Sequence, residues 1–316
     1  MDIQRQAPMH STNMAKHYRR EEITMHNLPE NSKLDIAALS RVFKSTTNSY
    51  KILFFLSILS LLKQSKFKER KLRINDVIVE MLTLSCIPIV KFKLSFGTQD
   101  QIKIYLEELF SITGDGSTLV ESNLKKTIRN DLYKSQALKL GNYVPYRLLQ
   151  PFYEEELRGQ KDAVKNTITE NLANQTYDTR LPLYRVVDDY AGTLIELHPN
   201  WMAYIEQNYP ILLGWVEVNW ISYLQRRNPN TPAILNKIHS YAKRGALTAQ
   251  RKVWEEYLRD NQVDCLFSEA SICTSNYDLD HFIPWNYVGH DQYWNLIPAL
   301  PEVNVRKSDT LPSANT

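Results

Sequence analysis

The decisive stretch reads Tyr277-Asp278-Leu279-Asp280-His281-Phe282-Ile283-Pro284-Trp285, then Tyr293-Trp294-Asn295-Leu296-Ile297-Pro298, then Pro301-Glu302-Val303-Asn304-Val305-Arg306-Lys307-Ser308. The first part is a short apolar strand ending at Pro284. A loop carrying Gly289 leads to a second short apolar strand. A brief helix follows, with Pro301 suited to its first turn and Glu302 favourable beside the helix dipole. Two hairpin strands and one helix make a unit of roughly 30–40 residues, too small to be stable unless it docks on something larger.

Four polar residue types converge in this unit. Asp280 is a hard oxygen ligand of the kind Mg²⁺ prefers. His281 is a neutral imidazole able to take a proton from water near neutral pH. Asn304 offers a second oxygen from the helix, and Lys307, three residues on, shares nearly the same helical face and can hold a phosphate as a point charge. Neighbours on a regular strand face opposite ways, so Asp280 and His281 converge only where the backbone leaves strand geometry.

The ordered set of Asp280-His281, Asn295-Leu296 and Asn304-x-x-Lys307, with Pro284 and Pro312 in place, resembles the HNH motif of the ββα-metal endonucleases. The form is closest to the HNH domain of RNA-guided CRISPR effector nucleases and to HNH proteins of bacterial restriction and phage defence. The matching segment runs from about Asp264 to Ser313, roughly a sixth of the chain. The resemblance implies that Asp280 and Asn304 ligate one divalent cation, Mg²⁺ with Mn²⁺ as a substitute. It implies that His281 activates a water for in-line attack on a phosphodiester. It also implies that Asn295 pins the loop fixing the His281 ring and that Lys307 stabilises the phosphate by charge.

Departures from the family bear on zinc. Many relatives carry two CxxC pairs around the nuclease unit, whereas here Cys265 is followed by Ser268 and Cys273 stands alone. Four closed ligands cannot be assembled, so no structural zinc is expected, and Cys265, Cys273 and Cys86 read as buried small hydrophobes. Trp285, Tyr287 and Trp294 read as packing residues rather than a DNA groove. His290-Asp291 reads as an exposed loop pair without a role, and His198 and His239 as structural. For DNA phosphates the first candidates are Arg306 and the basic helices, with Lys243, Arg244, Arg251 and Lys252.

Upstream the pattern is helical. Leu34, Ile36, Leu39, Val42 and Phe43 share one amphipathic face, and Tyr50 to Leu62 is apolar nearly all round, hence a buried helix with Thr47 or Asn48 near its cap. Ile74 to Leu84 gives a third helix. The alternation of Val90, Phe92 and Leu94 within 87–96 predicts a short strand or extended connector, and helical spacing resumes over 100–112. Gly114-Asp115-Gly116-Ser117 is a turn, with helices expected over 121–140 and 153–174. The one hairpin in this region pairs 183–187 with 193–197. Trp201 to Arg227 reads as a helix whose aromatic stripe of Trp201, Tyr204, Trp215, Trp220 and Tyr223 is core. Asn228 to Pro232 is a rigid break before helices at 233–244 and 248–259. The stretches Thr46 to Lys51 and Arg227 to Pro232 resemble, more faintly, the helical region that precedes HNH units in other bacterial proteins.

Composition bounds the rest. The chain has 316 residues, 43% hydrophobic and 23% charged, which is globular rather than disordered composition. With 9 glycines and no phosphate-cradling loop, nucleotide-binding folds of the Walker or dinucleotide type are excluded. No apolar run is long enough for a bilayer, and neither a signal peptide nor a disulfide framework is read, so a cytoplasmic protein is expected. Thirty-eight basic against 35 acidic residues give a formal charge of +3, which alone does not imply nucleic acid. The basic run from Lys63 to Arg73 reads as a solvated face.

The expected architecture is mainly α. It comprises a poorly ordered tail over 1–32, a helical regulatory, assembly or recognition body with one β-hairpin over 33–260, and a small ββα-metal nuclease domain over 261–316. The expected function is metal-dependent hydrolysis of DNA in restriction or anti-phage defence, with DNA, a second copy of the chain or other defence subunits as partners. The alternatives are a nuclease subunit of a larger, RNA-guided complex with the body as docking surface, a non-enzymatic relic of the ββα unit, and an RNA substrate.

Overall fold

A computed structural model describes residues 28–113, 121–238 and 246–312. The protein is mainly α. Its centre is the helix α2 (Tyr50–Gln64), in which Ile52, Leu53, Phe54, Phe55, Leu56, Ile58, Leu59 and Leu62 are all buried. A helix apolar on every side has no face to give to water, so others must surround it. Before it comes α1 (Ile36–Arg41), whose N-cap Asp35 accepts the Ala38 amide at 2.7 Å. On α2 pack α3 (Ile74–Cys86), α6 (Val144–Leu149) and the long α10 (Tyr209–Arg227). Around these lie α4 (Ile102–Thr113), α5 (Glu121–Asp131), α7 (Glu154–Leu157), α8 (Asp162–Gln175) and α9 (Pro199–Gln207). The aromatic stripe is core as expected: Trp201, Tyr204, Trp215, Trp220 and Tyr223 are buried.

The hairpin forms from β2 (Tyr184–Asp189) and β3 (Gly192–Leu197). A third strand, β1 (Lys71–Arg73), joins the free edge of β3 with Leu72 opposite Ile195, so the end of the basic run is sheet. Its charges are answered, because Arg70 and Arg185 both pair with the buried Glu196 and Arg73 pairs with Asp189.

Several expectations are corrected here. The 87–96 segment is neither strand nor extended connector at its start: Ile87–Lys91 continues α3 as a turn of π-helix, with Pro88 and Ile89 buried. The proposed helix over 201–227 is two, broken at Asn208; the expected helix over 121–140 gives way to 3₁₀ turns over Leu132–Lys134 and Gln136–Asn142, and that over 153–174 is broken over 158–161, where Gly159 takes a positive φ. The last residues of the expected tail are packed: Leu28 is buried in the large core and the Pro29 carbonyl accepts the Tyr204 hydroxyl at 2.7 Å. The turn at 114–117, most of the tail, His239, Lys243 and Arg244 lie outside the described residues.

After the break at 228–232 come α11 (Ile234–Ile238) and α12 (Thr248–Asp260). A small hairpin of β4 (Val263–Asp264) and β5 (Ser271–Ile272) precedes β6 (Asp278–His281), α13 (Trp285–Val288), β7 (Leu296–Ala299) and α14 (Pro301–Lys307). A second, smaller core gathers Leu258 of α12 with Cys265, Ile272, Tyr277, Leu279 and Ala299. Trp285 belongs instead to the large core, its ring 6.3 Å from that of Phe92. Asn236 of α11 also donates to the Gly289 carbonyl at 2.9 Å. Gly289 closes α13 in the left-handed region, φ +70°, where a side chain is strained.

Candidate active site

The site is built on β6 and β7, which pair antiparallel with Asp280 opposite Ile297 and His281 opposite Leu296. The ladder stays regular through His281, so alternation sends Asp278 and Asp280 to one face and His281 to the other. The expected convergence of the two motif residues through a break in strand geometry is thus corrected: they face opposite ways and reach different partners.

On the first face lies α14. Lys307 Nζ sits 2.9 Å from Asp280 Oδ2 and donates to the His281 carbonyl at 2.8 Å. The contact with Asp280 is an ion pair off the hydrogen-bonding direction, so this buried oxygen has no hydrogen bond. Lys307 is held inward, 8% exposed, rather than offered to the outer surface. One turn earlier, Asn304 donates to Asp278 Oδ2 at 3.3 Å, and so engages Asp278 rather than Asp280. Arg251 of α12 closes this side, 3.9 Å from Asp278, with its guanidinium over the Tyr277 ring.

His281 is fully buried, at 0% exposure, and Asp280 is 4% exposed. His281 Nε2 lies 2.8 Å from Asp291 Oδ1, in the loop between α13 and β7. Asp291, read from sequence as a loop residue without a role, is thus the partner of the motif histidine. One signal was available, since Asp291 is the sole acidic residue between Trp285 and Trp294.

Asn295 holds that loop. Its Oδ1 accepts the Ile283 amide and its Nδ2 donates to the Ile283 carbonyl, both at 2.8 Å, while the Phe282 amide bonds the Asn295 carbonyl at 2.9 Å. The side chain is completely buried. A flat amide that both donates and accepts is the side chain that satisfies one extended peptide's N–H and C=O at once.

The remaining candidates divide. Trp285 packs in the core as expected, but Tyr287 and Trp294 are exposed, at 44% and 62%, which corrects their reading as packing residues. Arg306 and Lys252 are exposed. Lys237, counted in the second basic stretch, is buried beneath Gly289 and donates to the Pro232 carbonyl, and burial pushes its ammonium down to about 8. Cys265 is buried, whereas Cys273 is exposed, contrary to its reading as a buried hydrophobe. Burial opposes ionisation of the Cys265 thiol, yet hydrogen bonds from Ser268 and from the amides of Leu300, Phe267 and Ser268 bring it below its ordinary value. His198 is structural, accepting the Asn200 amide at 3.1 Å at the start of α9.

The oxygen donors suit a hard divalent cation. Among the described residues no three His, Cys, Asp or Glu side chains group to enclose a metal. Mg²⁺ does not require such a cage, since it keeps several waters and takes one or two carboxylates. Asp280 supplies a buried oxygen without a hydrogen bond, on the face that also carries Asp278 and Asn304.

Residues 265–313 match the family model of the HNH endonucleases. No curated relative and no solved structure matches the chain. The C-terminal unit is therefore similar to an HNH endonuclease domain, a family that acts on nucleic acid. No described helix is long and apolar enough to cross a membrane.

Proposed function

We propose that the protein is a divalent-metal-dependent DNA endonuclease of restriction or anti-phage defence, cutting one strand per event through its single HNH site. The observation that carries this reading is the contact of the buried His281 with the part-exposed Asp291 of the following loop, on a strand whose opposite face presents Asp280 beside Asn304 and Lys307.

In the tautomer that donates Nε2–H to Asp291, Nδ1 of His281 carries the lone pair that takes a proton from the attacking water. The Asp291 carboxylate holds the ring and offsets the imidazolium that results, as a buried carboxylate does for a catalytic histidine elsewhere. Lys307 ties α14 to the backbone of His281 and balances Asp280. Asp278, Asp280 and Asp291 outnumber Lys307 and Arg251, so with His281 neutral the site is anionic and would repel a phosphodiester. Asp280 and Asn304 would hold a divalent cation, which would supply the charge that offsets the phosphate and the leaving 3′-oxygen. Tyr287, Trp294, Arg306 and Lys252 are the exposed aromatic and basic groups offered to the strand.

The defence role rests on proportion, because the helical body far exceeds the catalytic unit, as recognition or assembly requires. The burial of His281 and Asp280 favours a second reading, a nuclease subunit whose site opens on meeting a partner or guide-bound target.

The test is a supercoiled-plasmid assay of wild type beside His281→Ala, with Mg²⁺, Mn²⁺ or EDTA and with methylated and unmethylated DNA. Metal-dependent nicking lost in the variant supports the reading. Cutting that persists in EDTA or in the variant overturns it. Silence under every condition, with activity restored by a copurifying partner, selects the second reading.

A further inference from the structure

The helical body holds a cavity of about 220 Å³ where the start of α2 meets α6. Lys51, the second residue of α2, and Arg147 of α6 both line it. Neither makes an ion pair among the described residues, and Arg147 rests over the Tyr143 ring, 5.4 Å from its centroid. The one carboxylate on the wall, Asp162, is already paired with Lys165 at 2.8 Å.

Two like charges therefore share this wall, Lys51 with no ion pair of its own and Arg147 with only the exposed Asp162, already bound to Lys165, to attract it. The consequence is visible at Lys51, whose ammonium is lowered to about 8, first by burial and then by the neighbouring guanidinium. The first turn of α2 contains no acidic residue, but the buried Asp100 carboxylate accepts the amide of its N-cap residue Ser49 at 2.8 Å, so this helix end is already answered and the cavity's charge is that of the two side chains. A comparison within the molecule decides what this means. Another cavity, about 250 Å³, is lined by Arg73 and Arg129. There each cation has its acid, Asp189 for Arg73 and Asp76 for Arg129. A half-buried ammonium without an acid, beside an exposed guanidinium lining the same concave surface, is a place that can receive its anion from outside.

We propose that this cavity binds a small phosphate-bearing molecule, with Lys51 and Arg147 gripping the phosphate oxygens and the hydroxyls around Thr47 and Tyr143 taking the remainder. A guanidinium meets phosphate with paired donors and an ammonium meets it as a point charge, so the two cations are complementary rather than redundant. At about 220 Å³ the space falls below the roughly 300–1,000 Å³ of sites for drug-sized ligands. The occupant is therefore a phosphate on a compact carrier, of sugar-phosphate or at most mononucleotide size. The assignment goes beyond the nuclease reading and uses none of its residues, so either can fail without the other.

The experiment is isothermal titration of the full chain with pyrophosphate, ribose 5-phosphate, ribose, and a short single-stranded oligonucleotide ending in a 5′-hydroxyl. Saturable one-to-one binding of the two phosphate probes, and none of ribose, is expected. Lys51→Gln and Arg147→Gln each weaken it at least tenfold with the melting temperature kept, while Lys51→Arg retains it. At pH 8 binding takes up protons, because the anion restores the ordinary affinity of Lys51 for its proton. No saturable binding of either phosphate probe, or binding unchanged in both Gln variants, overturns the proposal. Binding of the oligonucleotide alone, lost in Lys51→Gln, also overturns it and assigns the cavity to a nucleic-acid backbone.

Discussion

Replacing Asn295 by Ala tests how the catalytic loop is held. The side chain makes two 2.8 Å hydrogen bonds to the backbone of Ile283, and nothing else in the described loop satisfies that N–H and C=O. Truncation leaves both groups without partners, at about 1–3 kcal/mol for each buried group left unmade. Ile283 is only half-buried, so water recovers part of this and the net loss is about 3 kcal/mol for the two. At 1.4 kcal/mol per tenfold change, local opening becomes roughly 100-fold more frequent.

Hydrogen exchange at the Ile283 amide reads that number directly, because it samples opening of this segment rather than of the whole fold. Exchange in Asn295→Ala should accelerate by about two orders of magnitude, and cleavage should fall with it, recovering in part on cooling. Asn295→Asp keeps the acceptor for the Ile283 amide but turns an anion toward its carbonyl, so that amide stays more protected than in the Ala variant. Wild-type exchange and melting in an inactive Asn295→Ala would refute the clamp and give the side chain a direct part in the chemistry.

Two further outcomes follow from single contacts. Asp291→Asn keeps a hydrogen-bonding group beside His281 but removes the charge that supports its protonated form, so single-turnover cleavage should drop by up to about 10⁴-fold with DNA affinity unchanged. An unaltered rate in single-turnover assays would remove Asp291 from the site. Lys237, with its folded-state value lowered to about 8, takes up less proton than the unfolded chain between there and its ordinary value of 10.5. Stability contributed by this group therefore rises with pH across that window, by up to roughly 3 kcal/mol. Lys237→Met should be more stable than wild type at pH 7, and the difference should shrink above pH 8 in urea titrations; a difference independent of pH would mean that the ammonium is not the cause.

What was legible in the sequence was what local pattern encodes. Ile52 to Leu62 announced a buried helix because no polar face interrupts it, and Asp280-His281 with Asn295 and Asn304 announced a ββα unit because residue types and order were all present. Contacts made by distant chain were not legible. β1 contains a single apolar residue, Leu72, between two cations, and its partner lies more than a hundred residues on, so no short-range signal marks it as sheet. The π-helical turn at Ile87–Lys91 was hidden because Val90, Phe92 and Leu94 alternate as a strand does, while the burial that decides the matter comes from neighbouring helices. Asp291 escaped for the same reason at shorter range: its meeting with His281 depends on how α13 folds the loop back.

That folding-back ties the chemistry to the body. From His281 the chain passes through Phe282, Ile283 and Pro284 to Trp285, and this last side chain is not part of the small core but is seated in the large one beside Phe92, with Lys91 above its ring. Gly289 is fixed by Asn236 of α11, and the Asp291 carbonyl accepts from Gln250 of α12 at 3.3 Å. Both ends of the α13 segment are therefore anchored to elements outside the ββα unit, and the segment between them carries the partner of His281. A unit of two four-residue strands cannot hold such a loop by its own burial. Its geometry is imposed by the helices it stands on, so the helical elements are a structural component of the candidate site as well as its support.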